Sequence, residues 1–401
     1  METTIGEHVD LATGEAFQSA RFGTTPDSGT LLARGDNVKE GEFEWDEKAR
    51  YWPDLTPDLE RNLLKENDVL LGMDGSKVGK NWVRVRNKDL PCLLVQRVAR
   101  LRARQTMDQG FLRFIIGNPQ FRDYVARVRT GTSIPHISGG QIKSYEILLP
   151  PIAEQRAIAA MLGSLDDKIE LNRRMNSTLE AMARALFANW MDSCSGYIEE
   201  HRVQSLIDEG ALVIGDGYRA KNSEMGTDGL PFVRAGNLKE SGLDLLGAEM
   251  LGARGVNAAG HKVGQVGDVA FTSKGTVGRI TRVSSRTGRF VYSPQVCFWR
   301  SLVPDRLHPN VLYRWMATDG FMRQVDAVSR QTDMAPYVSL QDQRKMVIQL
   351  PPPSRQIAIA HELKPIDDQI AANAEQSRTL ATLRDTLLPK LLSGELSVTE
   401  C

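Results

Sequence analysis

Cysteine is scarce: Cys92, Cys194, Cys297 and Cys401 are the only four in 401 residues, and no two form a Cys-x-x-Cys pair. That excludes a disulfide framework and a cysteine zinc site, and it points to a reducing cytoplasm. Histidine is equally sparse, and the six residues never fall at metal-ligand spacing, so His136 and His361 read as packing or surface positions. No run of about 18 apolar residues occurs, which excludes a membrane-spanning helix. The opening stretch, METTIGEHVDLATGE, is acidic and lacks an apolar core, so no secretion signal is expected. Net charge is also missing, with 50 Lys and Arg against 50 Asp and Glu.

Catalytic constellations are absent in the same way. GSKVGK at Gly75–Lys80 has three residues between the first Gly and Gly-Lys where a phosphate loop needs four, and Asn81 follows instead of Ser or Thr. It reads as a glycine-rich turn presenting lysines. NPQF at Asn118–Phe121 differs in its third residue from the Asn-Pro-Pro-Phe/Tyr loop of amino-methyltransferases, and no glycine-rich cofactor loop follows a strand. Asp166 and Asp167 are helix neighbours pointing about 100° apart, so they cannot form a close acid–base dyad.

What is present is a repeat. LLPPIAEQRAIAAMLGSLDDKIELN from Leu148 returns as QLPPPSRQIAIAHELKPIDDQIAAN from Gln349, at a spacing of 201 residues. LARGDNVKE at Leu32 matches FVRAGNLKE at Phe232, and NDVLLGMDGSKVGK at Asn67 matches GDVAFTSKGTVGR at Gly267. FLRFIIGNPQF at Phe111 matches VLYRWMATDGF at Val311, and IPHIS at Ile134 matches APYVS at Ala335. The chain is a tandem duplication.

Each copy has about 150 residues of mixed character, with short apolar runs such as DVLLGM and RVARLRA that read as strands between Gly and Asn turns. One or two helices precede a Pro-Pro pair, which opens a long helical pattern. The expected organisation is a globular domain over 1–149, a helix over 150–192, a second domain over 193–349, a helix over 350–393 and a tail over 394–401. One seam of the first helix comprises Ile158, Leu162, Leu165, Ile169, Asn172, Asn176, Leu179, Ala183 and Leu186. Adding 201 gives Ile359, Leu363, Ile366, Ile370, Asn373, Ser377, Leu380, Arg384 and Leu387. Polar residues at matching central positions of an apolar seam cost stability and fix register. The fold class is therefore α+β: two mixed domains and two long helices packed as an antiparallel coiled coil, in a pseudo-two-fold repeat.

Charge is unevenly spread despite its zero sum. Residues 97–129 hold eight Arg against two Asp, and 262–300 hold seven Lys or Arg against one Asp, whereas 1–66 hold fifteen acidic against seven basic residues. Two basic segments suggest two polyanion-binding faces.

The repeated Pro-Pro-x-x-x-Gln…Asp-Asp-x-Ile segments, the Arg-x-x-Asn-x-Lys-Glu segments and the SKGTVGR turn together resemble the specificity subunit of Type I restriction–modification enzymes, over essentially the whole chain. The second copy departs from the usual Glu-Gln pair by carrying Arg355-Gln356. The resemblance implies a non-catalytic, DNA-binding chain whose two target-recognition domains each read half of a bipartite target, with the paired helices as a ruler. It also implies two methyltransferase subunits as partners, using S-adenosylmethionine on adenine, and restriction–translocase subunits using ATP and Mg. No cofactor or metal is expected on the chain itself. A complete adenine methyltransferase would need the missing loops, and a coiled-coil scaffold would leave two different basic domains without a purpose.

Candidate DNA contacts are polar or basic residues in expected turns, where Lys and Arg meet phosphates and Arg, Asn and Gln meet base edges. In the first domain they are Arg34, Asn37, Lys39, Ser76, Lys77, Lys80, Arg127, Arg129, Thr130 and Ser133. In the second they are Tyr218, Arg219, Lys221, Arg234, Asn237, Lys239, Lys274, Thr276, Arg279, Arg330 and Gln331. Those shared by both copies read as backbone contacts or structure, and those that differ as base readout.

Overall fold

The computed structural model describes residues 2–45, 48–131, 133–239, 242–329 and 336–398. The chain forms two compact units, Met1–Asp167 with Leu380–Cys401, and Lys168–Thr379. Among the described residues no helix is long and apolar enough to cross a membrane.

The first unit is built on a four-stranded antiparallel sheet in the order Val9–Thr13, Val98–Ala103, Val69–Gly72, Trp82–Arg84. All four residues of Val69–Gly72 are buried, because this strand is covered on both faces. Successive side chains point to opposite sides. Val69, Leu71, Ala99 and Leu101 enter one core with the helices Gln109–Gly117 and Pro119–Val128. Leu70, Val83 and Val98 enter another, against Ala33, Cys92 and Leu94 of a three-stranded sheet. That smaller sheet is held by a parallel pairing of Thr30–Ala33 with Cys92–Leu94.

The second unit repeats this plan. Its large sheet has the order Leu212–Asp216, Val296–Ser301, Val269–Thr272, Ile280–Arg282. Val269, Phe271 and Trp299 face the helices Pro309–Met316 and Asp319–Ser329, while Ala270, Val296 and Phe298 face the smaller sheet. A parallel pairing of Phe232 with Val291 and Val233 with Tyr292 recurs there. Among the described residues three helices, not one or two, lie between the large sheet's longest strand and each Pro-Pro: the third are Gly139–Lys143 and Leu340–Lys345.

The long helices span Ile152–Ser193, 42 residues, and Pro353–Leu392, 40 residues. At 1.5 Å per residue each is about 60 Å long. Pro353 occupies the first turn, where its missing N–H costs nothing. Pro365 and Pro389 lie inside the second helix, each deleting one backbone donor.

Within the first unit, Ile158 and Leu162 share a core with Leu388 and Leu391, and Asp166 pairs with Arg384 at 2.8 Å. Within the second, the Asn172 amide donates to Oε1 of Gln376 at 2.9 Å and to the Asn373 carbonyl at 3.3 Å. Asn176 donates to the Ile370 carbonyl at 3.1 Å, and Asn373 donates to Asn176 at 2.8 Å. One index rises as the other falls, so the pairing is antiparallel in both units. Leu165, Leu179, Ile366, Ile370 and Leu380 are half-buried, and Ile169 and Leu363 are buried.

One seam position differs from expectation. Leu186 is 41% exposed and Phe187 is buried in its stead. A straight helix drifts about 20° per heptad against a 3.5 repeat, so after four heptads the buried stripe has moved on by one residue. The helix ends also do more than pair with each other. Ile158 and Leu162 belong to the core of the first unit's sheet, and Ala183, Phe187, Ile359 and Leu363 to that of the second.

Candidate nucleic-acid interface

The motif residues that repeat most faithfully are internal. Gln155 is 1% exposed, and its Oε1 accepts the Asp108 N–H at 2.8 Å. Its Nε2 donates to the carbonyls of Pro150 at 2.8 Å and Thr106 at 3.2 Å. Gln356 does the same with the His308 N–H at 3.0 Å and the carbonyls of Pro351 at 2.8 Å and Arg306 at 3.4 Å. Asp108 and His308 cap the first helix of each helical pair, so each glutamine clamps a long helix to its own domain.

The Asp-Asp pairs complete the clamp. Arg113 reaches Asp166 at 3.2 Å, and Arg314 meets Asp367, which also pairs with Arg282 at 3.0 Å. Arg314 further meets Glu180 at 2.5 Å. Burial, together with Arg84 nearby, pulls the Arg113 guanidinium down to about 10, with Asp166 opposing. Burial also works against the Arg314 charge, but Glu180, Tyr313 and Asp367 outweigh it and its pKa stands above the ordinary value. Neither arginine was singled out from sequence, although FLRFIIGN and VLYRWMAT align them.

Internal pairing also accounts for part of the basic bias. Arg102 holds Asp68 at 2.5 Å and Arg300 holds Asp268 at 2.6 Å, with Asp68 and Asp268 buried. Arg100, Arg113, Arg282 and Arg286 also spend their charge on carboxylates within their own units. The eight-Arg segment is thus no continuous polyanion face.

Asn37 is corrected by the structure, while Asn237 is half-buried at the matching turn. Asn37 is fully buried, and its amide donates to the Glu44 carbonyl at 3.0 Å. Asn237 donates to the Asp244 carbonyl at 3.0 Å, and its Oδ1 accepts the Arg234 N–H at 2.8 Å. Both side chains brace a turn, and Asn37 spends both amide hydrogens on carbonyls, those of Glu44 and Lys48. Their neighbours are also paired: Arg34 with Asp36 at 2.7 Å, Lys39 with Glu44 at 3.2 Å, and Arg234 with Glu249. Lys239 is exposed.

The glycine turns behave differently. The turn from Met73 to Asn81 joins two strands of the large sheet, with Gly75 and Gly79 at φ 98° and 83°. A Cβ on Gly79 would lie 2.9 Å from the Val125 side chain, so glycine lets the turn close onto the second helix. Ser76, Lys77 and Lys80 are left exposed. The loop after the second helix is stitched to this turn: the Gly75 N–H donates to the Pro135 carbonyl and the Ile137 N–H to the Met73 carbonyl, both at 2.9 Å. Arg127, Arg129, Thr130 and Ser133 in and before that loop are exposed, so the two candidate groups belong to one pair of joined segments.

The second unit repeats the stitch, with Gly275 N–H to the Pro336 carbonyl at 3.1 Å and Val338 N–H to the Ser273 carbonyl at 3.0 Å. Thr276 and Arg279 are exposed, and the Lys274 ammonium lies 4.7 Å from the centre of the Tyr337 ring. Burial foremost, with Cys297 and Asp216, raises the Tyr337 hydroxyl, and Arg219 opposes them, which places Arg219 within electrostatic reach of this turn. Tyr218 donates to Glu224 at 2.8 Å and packs on the small sheet, while Lys221 is exposed. Arg330 and Gln331 lie outside the described residues.

NPQF and TDGF are helix starts. Asn118 Oδ1 accepts the Gln120 N–H at 3.1 Å ahead of Pro119, and the Thr318 hydroxyl accepts the Phe321 N–H at 3.4 Å. Among the described residues no group of three His, Cys, Asp or Glu could hold a metal ion.

A duplicated chain whose two units each present a basic turn stitched to the loop after the second helix, with a long helix clamped to each, has the frame of a two-domain nucleic-acid recognition scaffold. Residues 39–181 match the family model of the Type I restriction modification DNA specificity domain. The Type I restriction enzyme MjaIX specificity subunit of Methanocaldococcus jannaschii is 24% identical, over 72% of this chain and 69% of its own length. The EcoKI specificity subunit of Escherichia coli K12 is 23% identical, over 91% of this chain and 82% of its own. A crystal structure of a Type I restriction–modification S subunit from M. genitalium shares the fold with TM-score 0.54 at 16% identity, covering 98% of this chain and 96% of that one. Residues 39–181 thus carry a DNA specificity domain of the Type I restriction–modification kind, and over most of its length the chain is similar to the specificity subunits of those systems.

Proposed function

We propose that this subunit reads a bipartite, asymmetric DNA target, one half-site per unit, and brings two methyltransferase subunits to it. The reading rests on one observation. The same sheet, turn and helix frame occurs twice, with repeated residues such as Gln155/Gln356 and Asn37/Asn237 spent on structure and exposed residues free to differ. Two different readers on one repeated frame suit a target whose halves differ. The partners supply the chemistry, S-adenosylmethionine for adenine methylation and ATP with Mg in a restriction–translocase subunit, and the complex works in the cytoplasm. The two helices, each about 60 Å long, set the spacing of the half-sites.

The test is the methylated motif of the complete complex, sequenced base by base. Exchanging residues 1–149 for the matching segment of a relative changes one half of the motif and leaves the other intact. A heptad added to both helices lengthens them by about 10 Å and favours a spacer about three base pairs longer. Simultaneous change of both halves on the domain exchange would overturn the modular reading.

A further inference from the structure

The two turns share one backbone frame yet differ in chemistry at the three positions it brings together. In the first unit, Asp74 and His136 face each other across an isolated antiparallel bridge, and Lys274 and Tyr337 occupy the matching bridge of the second. The third position comes from the next turn along each large sheet. The Met73 N–H donates to the Arg97 carbonyl at 2.9 Å, and the Ser273 N–H donates to the Gln295 carbonyl at 3.0 Å. The trio is thus Asp74, Arg97 and His136 in one unit and Lys274, Gln295 and Tyr337 in the other.

The side chains in the first trio form a chain of contacts. Arg97 Nε lies 3.3 Å from Asp74, and the opposite oxygen of that carboxylate meets His136 Nδ1. The Arg97 side chain is 61% exposed, so the face of its guanidinium away from Asp74 is open to solvent. In the second trio the Lys274 ammonium sits over the Tyr337 ring, and Gln295 Oε1 accepts the Ala235 N–H at 3.4 Å.

Arg97 is also strained. Its φ is 74°, in the left-handed region, and among the described residues only Asn67 shares this outside glycine. Gly or Asn would hold that turn at less cost, and Gln295 avoids it altogether. An exposed arginine kept in an unfavourable backbone state, with one edge fixed by a carboxylate, gains little for the fold, because an ion pair open to water is weak. Strain of this kind collects where a side chain must be aimed.

We propose that these trios determine specificity, Arg97 reading a guanine in the half-site of the first unit, with Asp74 and His136 as positioning residues. The guanidinium edge left free matches the O6 and N7 acceptors that guanine presents in the major groove. Lys274, Gln295 and Tyr337 read a different base at the matching position of the other half-site. This rests on the proposed function, and the test separates the two.

The experiment sequences the methylated motif made by the full complex carrying Arg97→Gly, Asp74→Asn or Lys274→Ala. Arg97→Gly relieves the left-handed strain, so its thermal midpoint stays level or rises. It relaxes one G·C position of one half-site by about 10- to 100-fold, and the other half-site keeps its sequence. Asp74→Asn relaxes the same position less, which a merely structural role would not do. Lys274→Ala relaxes a position in the opposite half-site. An unchanged motif with Arg97→Gly, or equal relaxation of both half-sites, would overturn the assignment while leaving the bipartite reading intact. A wild-type complex with no sequence preference would overturn both.

Discussion

The anchor that ties each long helix to its own unit is built twice, and the copies are not equally strong. In the second unit Asp367 is buried, takes Arg314, Arg282 and the Asn310 amide at 3.2 Å, and Glu180 supplies a second carboxylate to Arg314. In the first unit, among the described residues, Arg113 forms an ion pair with Asp166 alone, at 3.2 Å, and the Asp166 side chain is 23% exposed. The reason is legible one repeat apart: where the central helix has Glu180 and Ala183, the other helix has Ala381 and Arg384. Arg384 takes the other oxygen of Asp166 and draws on a carboxylate that Arg113 needs. The duplication kept the first aspartate and first arginine of the clamp and let the surrounding charges drift. A buried cation is tolerable in either arrangement, but only one gives it two carboxylates.

The comparison breaks most visibly at Asp367. Asp367→Ala leaves Arg282 and Arg314 facing each other without their shared partner, an expected loss of about 3–5 kcal/mol. Hydrogen exchange should show it as opening of the amides near Ile366 and Ile370. The glutamine clamps should not distinguish the copies. Gln155→Leu and Gln356→Leu each strand one N–H and two carbonyls, so each should cost about 2–3 kcal/mol in urea unfolding. A difference above about 1 kcal/mol between them would mean that the clamps are not equivalent. Asp166→Ala should cost less than its counterpart, about 1–2 kcal/mol, because water already reaches the site. The smallest effect sharpens the comparison instead: Ala381→Glu restores the carboxylate the first unit lacks. It should raise the unfolding free energy by under about 1 kcal/mol, and a fall would show that Arg384 already satisfies the site.

The sequence was most informative where both copies solve one problem with one residue. The Pro-Pro-x-x-x-Gln and Asp-Asp-x-Ile spacings marked the long helices to within a few residues, because amphipathic periodicity and helix starts are local. Asn37 was misplaced because an asparagine in a turn bears the same letters whether it faces a base or braces a carbonyl, and only burial separates these. Arg113 and Arg314 were overlooked because an arginine is assumed to be at the surface until a partner carboxylate 53 residues away is seen to meet it. Phe187 replaced Leu186 because a 3.5-residue repeat drawn on paper does not turn with a real helix. Asp74, Arg97 and His136 are far apart in sequence and adjacent only through the stitching of two loops.

The strand pairing that closes each unit has a consequence of its own. Residues Glu2–Thr4 pair with Glu146–Leu148, and Leu388 and Leu391 pack in that same unit. In the second unit Glu199–Arg202 pairs with Val347–Leu350 in the same manner, but its strand is joined to the preceding helix through Ser195–Tyr197. Each unit is thus closed by the same antiparallel pairing between its first strand and the strand that precedes its Pro-Pro. Gly196 is exposed and has no neighbour within 4 Å of an added Cβ. A permuted chain, closed by a short linker between residues 398 and 2 and reopened at Gly196, should keep every contact described above and direct methylation to an unchanged motif.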